Sequence, residues 1–179
     1  IHQPDVAGLA KEKLGDFKIP SEFEFNQSNS QAFYYFSTVT INGVLVESDD
    51  WVGAFNGDIC VGARIWDTSL CGQGVCDVPV LGSDNTPGTE GYMQEGEIPS
   101  FKIYDASEDA YYDAYSSIDY SWANFAFYSD IHLSTEAPIS GCMDTAACNF
   151  QADATYDDGT CTLPQGCNNW CVGDADEPQ

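Results

Sequence analysis

The chain has 179 residues, 43% hydrophobic and 13% aromatic, enough for a real core and unlike a disordered polymer. Its formal net charge is -24, from 5 Lys and Arg against 29 Asp and Glu. Such a surface repels phosphate backbones and anionic lipid, which excludes nucleic acid as a partner and argues against membrane insertion. No apolar run approaches the ~20 residues a membrane-spanning helix needs. A removed secretory leader fits the start at Ile1, and an arbitrary boundary fits it equally.

Residues 1–25 read as a separate arm. Val6, Leu9, Ala10 and Leu14 sit at helical spacing and Gly15 would end that turn. Phe17, Ile19, Phe23 and Phe25 share one parity, the period of a strand, with Pro20 restricting it to an edge or bulge. Lys11, Lys13 and Lys18 offset Asp5, Glu12 and Asp16, so the first twenty residues are neutral while the rest carries the negative excess. A neutral, partly apolar arm suits docking on an acidic copy of the same chain, by adding a strand to a neighbour's sheet in a head-to-tail polymer. The same residues 17–25 would equally serve as the first strand of their own sheet.

Residues 26–136 predict an antiparallel β-sandwich. Gln31–Ile41 is a long aromatic and β-branched strand, followed by the hairpin signal Asn42-Gly43 and a return over Val44–Glu47. Trp51–Phe55 and Ile59–Trp66 flank a second signal, Asn56-Gly57. Residues 67–97, with two Cys, two Pro and many Gly, predict a long stapled loop. Strands resume at Ser100–Tyr104, Tyr111–Tyr115 and about Trp122–Leu133.

Residues 137–179 form a second, loop-dominated module. From residue 141 onward it holds five of the eight Cys and seven acidic residues, with too little apolar bulk for its own core. Cys60, Cys71, Cys76, Cys142, Cys148, Cys161, Cys167 and Cys171 are therefore expected in disulfides of an oxidising compartment. The pairs Cys71/Cys76 and Cys167/Cys171 imitate zinc knuckles, but their loops are acidic and small rather than finger-like. Each segment has an odd count, which predicts a bridge between segments or a pair of free thiols. Cys71–Cys76 is a plausible local bridge.

Two stretches resemble known secreted proteins. Asn26–Phe36, Asp50–Gly62, Cys76-Asp-Val-Pro and Gly91–Asp105 resemble β-sandwich repeats of large cell-surface proteins from aquatic bacteria, especially Bacteroidota. Gly141–Cys161 is similar to the short Cys/Asp module that recurs beside them. The resemblance implies an exported, type IX-secreted or surface-attached protein with adhesive or scaffolding duty. It also suggests the filament subunits of environmental bacteria as a model. Asp144-Thr145-Ala146 resembles the O-glycosylation motif of that phylum, and Asn26-Gln27-Ser28 fits an N-glycosylation acceptor.

Calcium is the expected cofactor, because hard cations take oxygen ligands. Asp144, Asn149, Asp153, Asp157 and Asp158 lie in one Cys-closed loop, with Asp174 and Asp176 beyond it. Asp49, Asp50 and Asp58 are a weaker set; ordinary Asx turns explain either group without metal. Trp66, Trp122, Trp170, Tyr92 and the pair Tyr111-Tyr112 are candidates for stacking on sugar rings, though aromatics mostly fill sandwich cores. Catalysis has little support: His2 is terminal and His132 stands alone, so no nucleophile-base set exists, and no phosphate-cradling Gly loop is present. The expectation is a non-enzymatic filament or adhesive subunit, polymerising through the arm and rigidified by disulfides and Ca²⁺. The alternative is a secreted carbohydrate-binding module.

Overall fold

A computed structural model describes residues 19–164. The chain divides between Thr135 and Glu136 into two compact units. Among the described residues the regular structure is all β, apart from three single 3₁₀ turns.

In the first unit, β1 (Ser30–Ile41) is the longest strand. Ala32, Tyr34 and Phe36 point inward, while Phe33 and Tyr35 remain partly exposed. Register shifts beside Phe36 put Ser37 and Thr38 in an exposed bulge, after which Val39 takes over the inward side. Asn42 and Gly43, both at positive φ, turn the chain into β2 (Val44–Leu45), as the sequence predicts. The strands β3 (Trp51–Asn56) and β4 (Ile59–Ile65) form the second hairpin, closed by Gly57 and Asp58. Then come β5 (Cys76–Gly82), β6 (Ser100–Asp105), β7 (Ala110–Ser116) and β8 (Phe127–Ser134).

These eight strands make one continuous sheet, in the order β2-β1-β8-β7-β6-β3-β4, with β5 also on β1. β8 runs along one side of β1, so β5 and β2 share the other. Two expectations change here. The β1–β8 pair is parallel, so the sheet is mixed rather than antiparallel. Residues 76–82, expected within a loop, are a strand; Pro79 is tolerated because β5 has a ladder partner on one side alone, with Pro79 opposite Phe33.

The sheet curls over a single main core. Phe36 and Tyr34 of β1 meet Phe101 of β6 at ring distances of 5.1 and 5.7 Å, although three strand steps separate β1 from β6. The curl closes where β4 meets β5 without a ladder. Gly62 lies so close to the Pro79 carbonyl that a Cβ there would stand 1.7 Å from its oxygen. Arg64 and Asp77 pair across the same seam at 3.0 Å; both are partly exposed, so the pair contributes about 1 kcal/mol or less. Asp50 ties the turn before β3 to the β6–β7 hairpin. Its buried carboxylate accepts the Glu47 and Ala106 amides at 2.7 and 2.9 Å.

Residues 19–25 do not form the expected strand. Pro20 opens a 3₁₀ turn over Ser21–Phe23, and the Phe23 amide donates to the Pro20 carbonyl at 2.9 Å. That turn breaks the two-residue period and drives Phe23, fully buried, into space left by Gly53, with Phe55 and Tyr111 edge-on. Phe25 packs on the same core, so Phe23 and Phe25 belong to their own domain and not to a free arm. Ile19 is exposed; Val6, Leu9, Leu14 and Phe17 lie outside the described residues.

The second unit is small. Two-residue strands β9 (Ser140–Gly141) and β10 (Tyr156–Asp157) pair in parallel, and Cys142–Cys161 ties the loop between them. Among its described residues just Gly141, Cys142 and Ala147 are buried.

Two outcomes follow from this packing. Gly62→Ala should lower the urea midpoint by an amount equivalent to about 3 kcal/mol, since backbone faces backbone and neither side yields. Gly72→Ala, with nothing near its added carbon, should stay within about 0.5 kcal/mol of the parent. Reduction of the whole chain should unfold the second unit first. Its Cys142–Cys161 bridge spans 19 residues and contributes about 3 kcal/mol to a unit with almost no core. Amide NMR signals of Gly141 and Ala147 should collapse on reduction while those of Ile103 and Leu133 persist; persistence of all four would contradict this account.

Candidate functional site

The outer side of β1 carries a row of apolar groups that the inward alternation leaves facing water. Phe33 is opposite Pro79 on β5 and Phe127 on β8, and the Phe33 and Phe127 rings stack at 5.2 Å with 19° between planes. Phe127 is 68% exposed. One step toward the start of β1, the loop before β8 is fastened to Gln31. The Gln31 amide donates to the Asn124 side chain at 3.0 Å, and the Phe125 amide donates to the Gln31 carbonyl at 2.7 Å. This clamp holds Phe125 at φ +61° with its ring 63% exposed. A left-handed conformation costs a bulky residue about 1 to 3 kcal/mol, and an exposed ring returns little packing for it.

Beside Phe125 lies an open polar recess lined by Gln27, Ser28, Asn29, Gln31, Asp84 and Thr86. Asp84 is its scaffold. One carboxylate oxygen accepts the Asn29 backbone and side-chain amides at 2.9 and 3.0 Å; the other accepts the Thr86 amide and hydroxyl at 3.0 and 2.5 Å, with Thr89 at 3.3 Å. These donors, the Asn29 backbone amide foremost, hold the Asp84 carboxyl well below the ordinary carboxylate range. Ser28 is also committed, to the Gly82 carbonyl. The side-chain amides of Gln27 and Gln31 have no hydrogen-bond partner among the described residues.

The residues expected to hold calcium do not converge. Asp144 accepts the Ala146 amide at 2.9 Å, Asp157 the Gly159 amide at 3.1 Å, and Asp158 the Thr160 amide at 2.9 Å, each closing its own turn. Asn149 bridges to Thr160 and Thr162, and Asp153 is exposed. Asp50 is committed to the two backbone amides already described, Asp49 is half-buried beside it, and Asp58 is exposed in a hairpin turn. No group of three His, Cys, Asp or Glu side chains suited to a metal forms among the described residues. Asp174 and Asp176 lie outside them.

Of the cysteines, Cys71–Cys76 and Cys142–Cys161 are bridged, and Cys148 is disulfide-bonded too. Cys60 departs from the expectation: it is a free buried thiol, pushed up to about 11 by burial, with its S–H directed at the Gly62 carbonyl. The odd count in the first unit is thus one sequestered thiol. Cys167 and Cys171 lie outside the described residues.

The aromatics proposed for sugar stacking are mostly core. Trp66, Trp122 and Tyr92 are at most 5% exposed; Trp122 donates to the Val80 carbonyl and the Tyr92 hydroxyl meets the Asn26 backbone. Tyr111 packs on Phe23 and Tyr104, Tyr112 is half-buried with its hydroxyl on Glu108, and Trp170 lies outside the described residues. Asn26 is exposed but its side-chain amide donates to the Gly88 carbonyl at 3.0 Å; Thr145 is exposed in the Asp144 turn. Sequence reasoning passed over Phe125, Phe127, Gln27 and Gln31. Only the strand parity of 31–36, which sends Phe33 outward when Tyr34 goes in, hinted at this surface.

Because the folded Asp84 carboxyl lies below its ordinary value of 3.8, its contribution is complete above about pH 4 and is lost as pH falls through the depressed value. Asp84→Asn should therefore have a lower urea midpoint than the parent at pH 7, and the gap should narrow below pH 4. A gap unchanged from pH 7 to pH 2 would contradict that role. No protein-family model matches the chain, and neither a curated protein nor a solved structure matches it.

Proposed function

We propose that this chain is a non-catalytic structural subunit of an extracellular bacterial surface assembly, a filament or adhesive layer built from copies of itself. The observation that supports it is the margin of the sheet: β2 ends the strand order, with Val44 and Leu45 70% and 66% exposed. On a chain of net charge -24, copies repel one another over most of their surface, so an apolar strand edge is where contact between them costs least. In this reading the curled sheet is a β-sandwich-like body. The joining segment narrows to residues 1–18, where Lys11, Lys13 and Lys18 supply three of the five basic residues, because Phe23 and Phe25 are occupied at home. Two disulfides fit an oxidising compartment, and no described helix is long and apolar enough to cross a membrane. Ca²⁺ belongs to the proposal as the ion that offsets repulsion between subunits.

Light scattering and electron microscopy of the purified protein test this. High-mass assemblies are expected, falling to monomers on deletion of residues 1–15 or in a Val44→Glu, Leu45→Glu double variant with an unchanged melting temperature. A lone particle at every concentration would overturn the reading. Millimolar Ca²⁺ should raise the melting temperature and EDTA reverse it; a melting temperature indifferent to both would remove calcium from the proposal.

A further inference from the structure

We propose that Phe125 and the recess beside it bind a neutral saccharide. The argument starts from the backbone. Phe125 holds φ +61° with its side chain mostly in water, clamped there because its own amide donates to the Gln31 carbonyl and the Gln31 amide donates to the Asn124 side-chain oxygen. A strained conformation that yields no burial points to a role outside the fold. The surroundings define what the ring would meet. The one carboxylate of the recess, Asp84, has its acceptor sites taken by backbone amides, a side-chain amide and a hydroxyl of its own chain, so it is engaged in the fold and its remaining negative charge disfavours an anionic ligand. The side-chain amides left wholly uncommitted are those of Gln27 and Gln31, each able to donate and accept, and the Asn29 side-chain oxygen adds an acceptor. The stacked Phe33 and Phe127 rings continue the apolar surface along the strands.

An uncharged ligand with an apolar face and a ring of hydroxyls that both donate and accept matches this set. A pyranose lays its C–H face on an aromatic ring and directs its hydroxyls outward to amides. Acidic polymers are disfavoured by the chain's charge of -24. The openness of the recess suits one stretch of a chain passing across the surface rather than an enclosed small molecule. The inference stands on different residues from the β2 margin and does not depend on self-association.

The test uses the full chain against an array of neutral hexasaccharides of glucose, mannose, galactose and xylose, with an alginate hexamer as the anionic comparison. Binding is then quantified by calorimetry. At least one neutral hexasaccharide should bind and alginate should not. Phe125→Gly should weaken binding at least tenfold while the melting temperature holds or rises, because glycine accepts that φ freely. Gln31→Ala should weaken binding several-fold, and the Val44→Glu, Leu45→Glu variant should bind as the parent does. Failure of every neutral hexasaccharide to bind, or parental affinity in Phe125→Gly, would overturn the proposal. If Phe125→Gly instead dissolved self-association with no saccharide bound, the surface would belong to a second copy of the chain and the saccharide assignment would fall.

Discussion

Strand β1 has to satisfy two environments at once, because its side chains alternate and its backbone has neighbours on both sides. Its inward residues Ala32, Tyr34 and Phe36 seed the main core and reach Phe101 on the far side of the curl. Its backbone pairs with β8 on one side and with β5 and β2 on the other. The remaining parity, Gln31, Phe33 and Tyr35, is left pointing out. The candidate binding surface is thus the reverse face of the residues that hold the fold together. Moving the register by one position would bury Phe33 and expose Tyr34, destroying core and surface together.

Much of the first unit was legible because its signals are local. The Asn42-Gly43 turn, the strands flanking Gly57 and the strands at 100–105 and 110–116 follow from alternation and turn chemistry, whereas the last strand, expected from about Trp122, begins only at Phe127, after a turn at Asn124 and Phe125. What escaped depends on partners distant in sequence. β5 was hidden by Pro79, which counts against a strand until the one-sided pairing with β1 is known. The parallel β1–β8 pair joins segments separated by most of the domain, and no local pattern encodes it. The parity of Phe17, Ile19, Phe23 and Phe25 was a false period, overridden at Pro20 by a 3₁₀ turn and by the vacancy over Gly53. The candidate site was nearly invisible for the same reason: it joins residues 27–31, 84–86 and 125, and the large aromatics that drew attention are buried.

The acidic residues of the two units illustrate one use of carboxylates. Asp84, Asp144, Asp157 and Asp158 each accept backbone amides two residues onward, and Asp50 accepts amides from two different loops. Loops rich in Gly and Pro leave many amides without ladder partners, and short acidic side chains satisfy them. Part of the charge that looks like a demand for metal in the sequence is this local bonding. The second unit combines such turns with sulfur bridges in place of a core, whereas the first unit relies on packing and keeps Cys60 reduced inside it.

The claim on which the rest depends is that β1 is the last element to open. Native-state amide hydrogen exchange measures this directly. The Tyr34 and Phe36 amides should exchange only through global unfolding of the first unit, with free energies equal to that from urea unfolding. Exchange of those amides through a local opening, at markedly lower free energy than the amides of β3 and β6, would contradict the account.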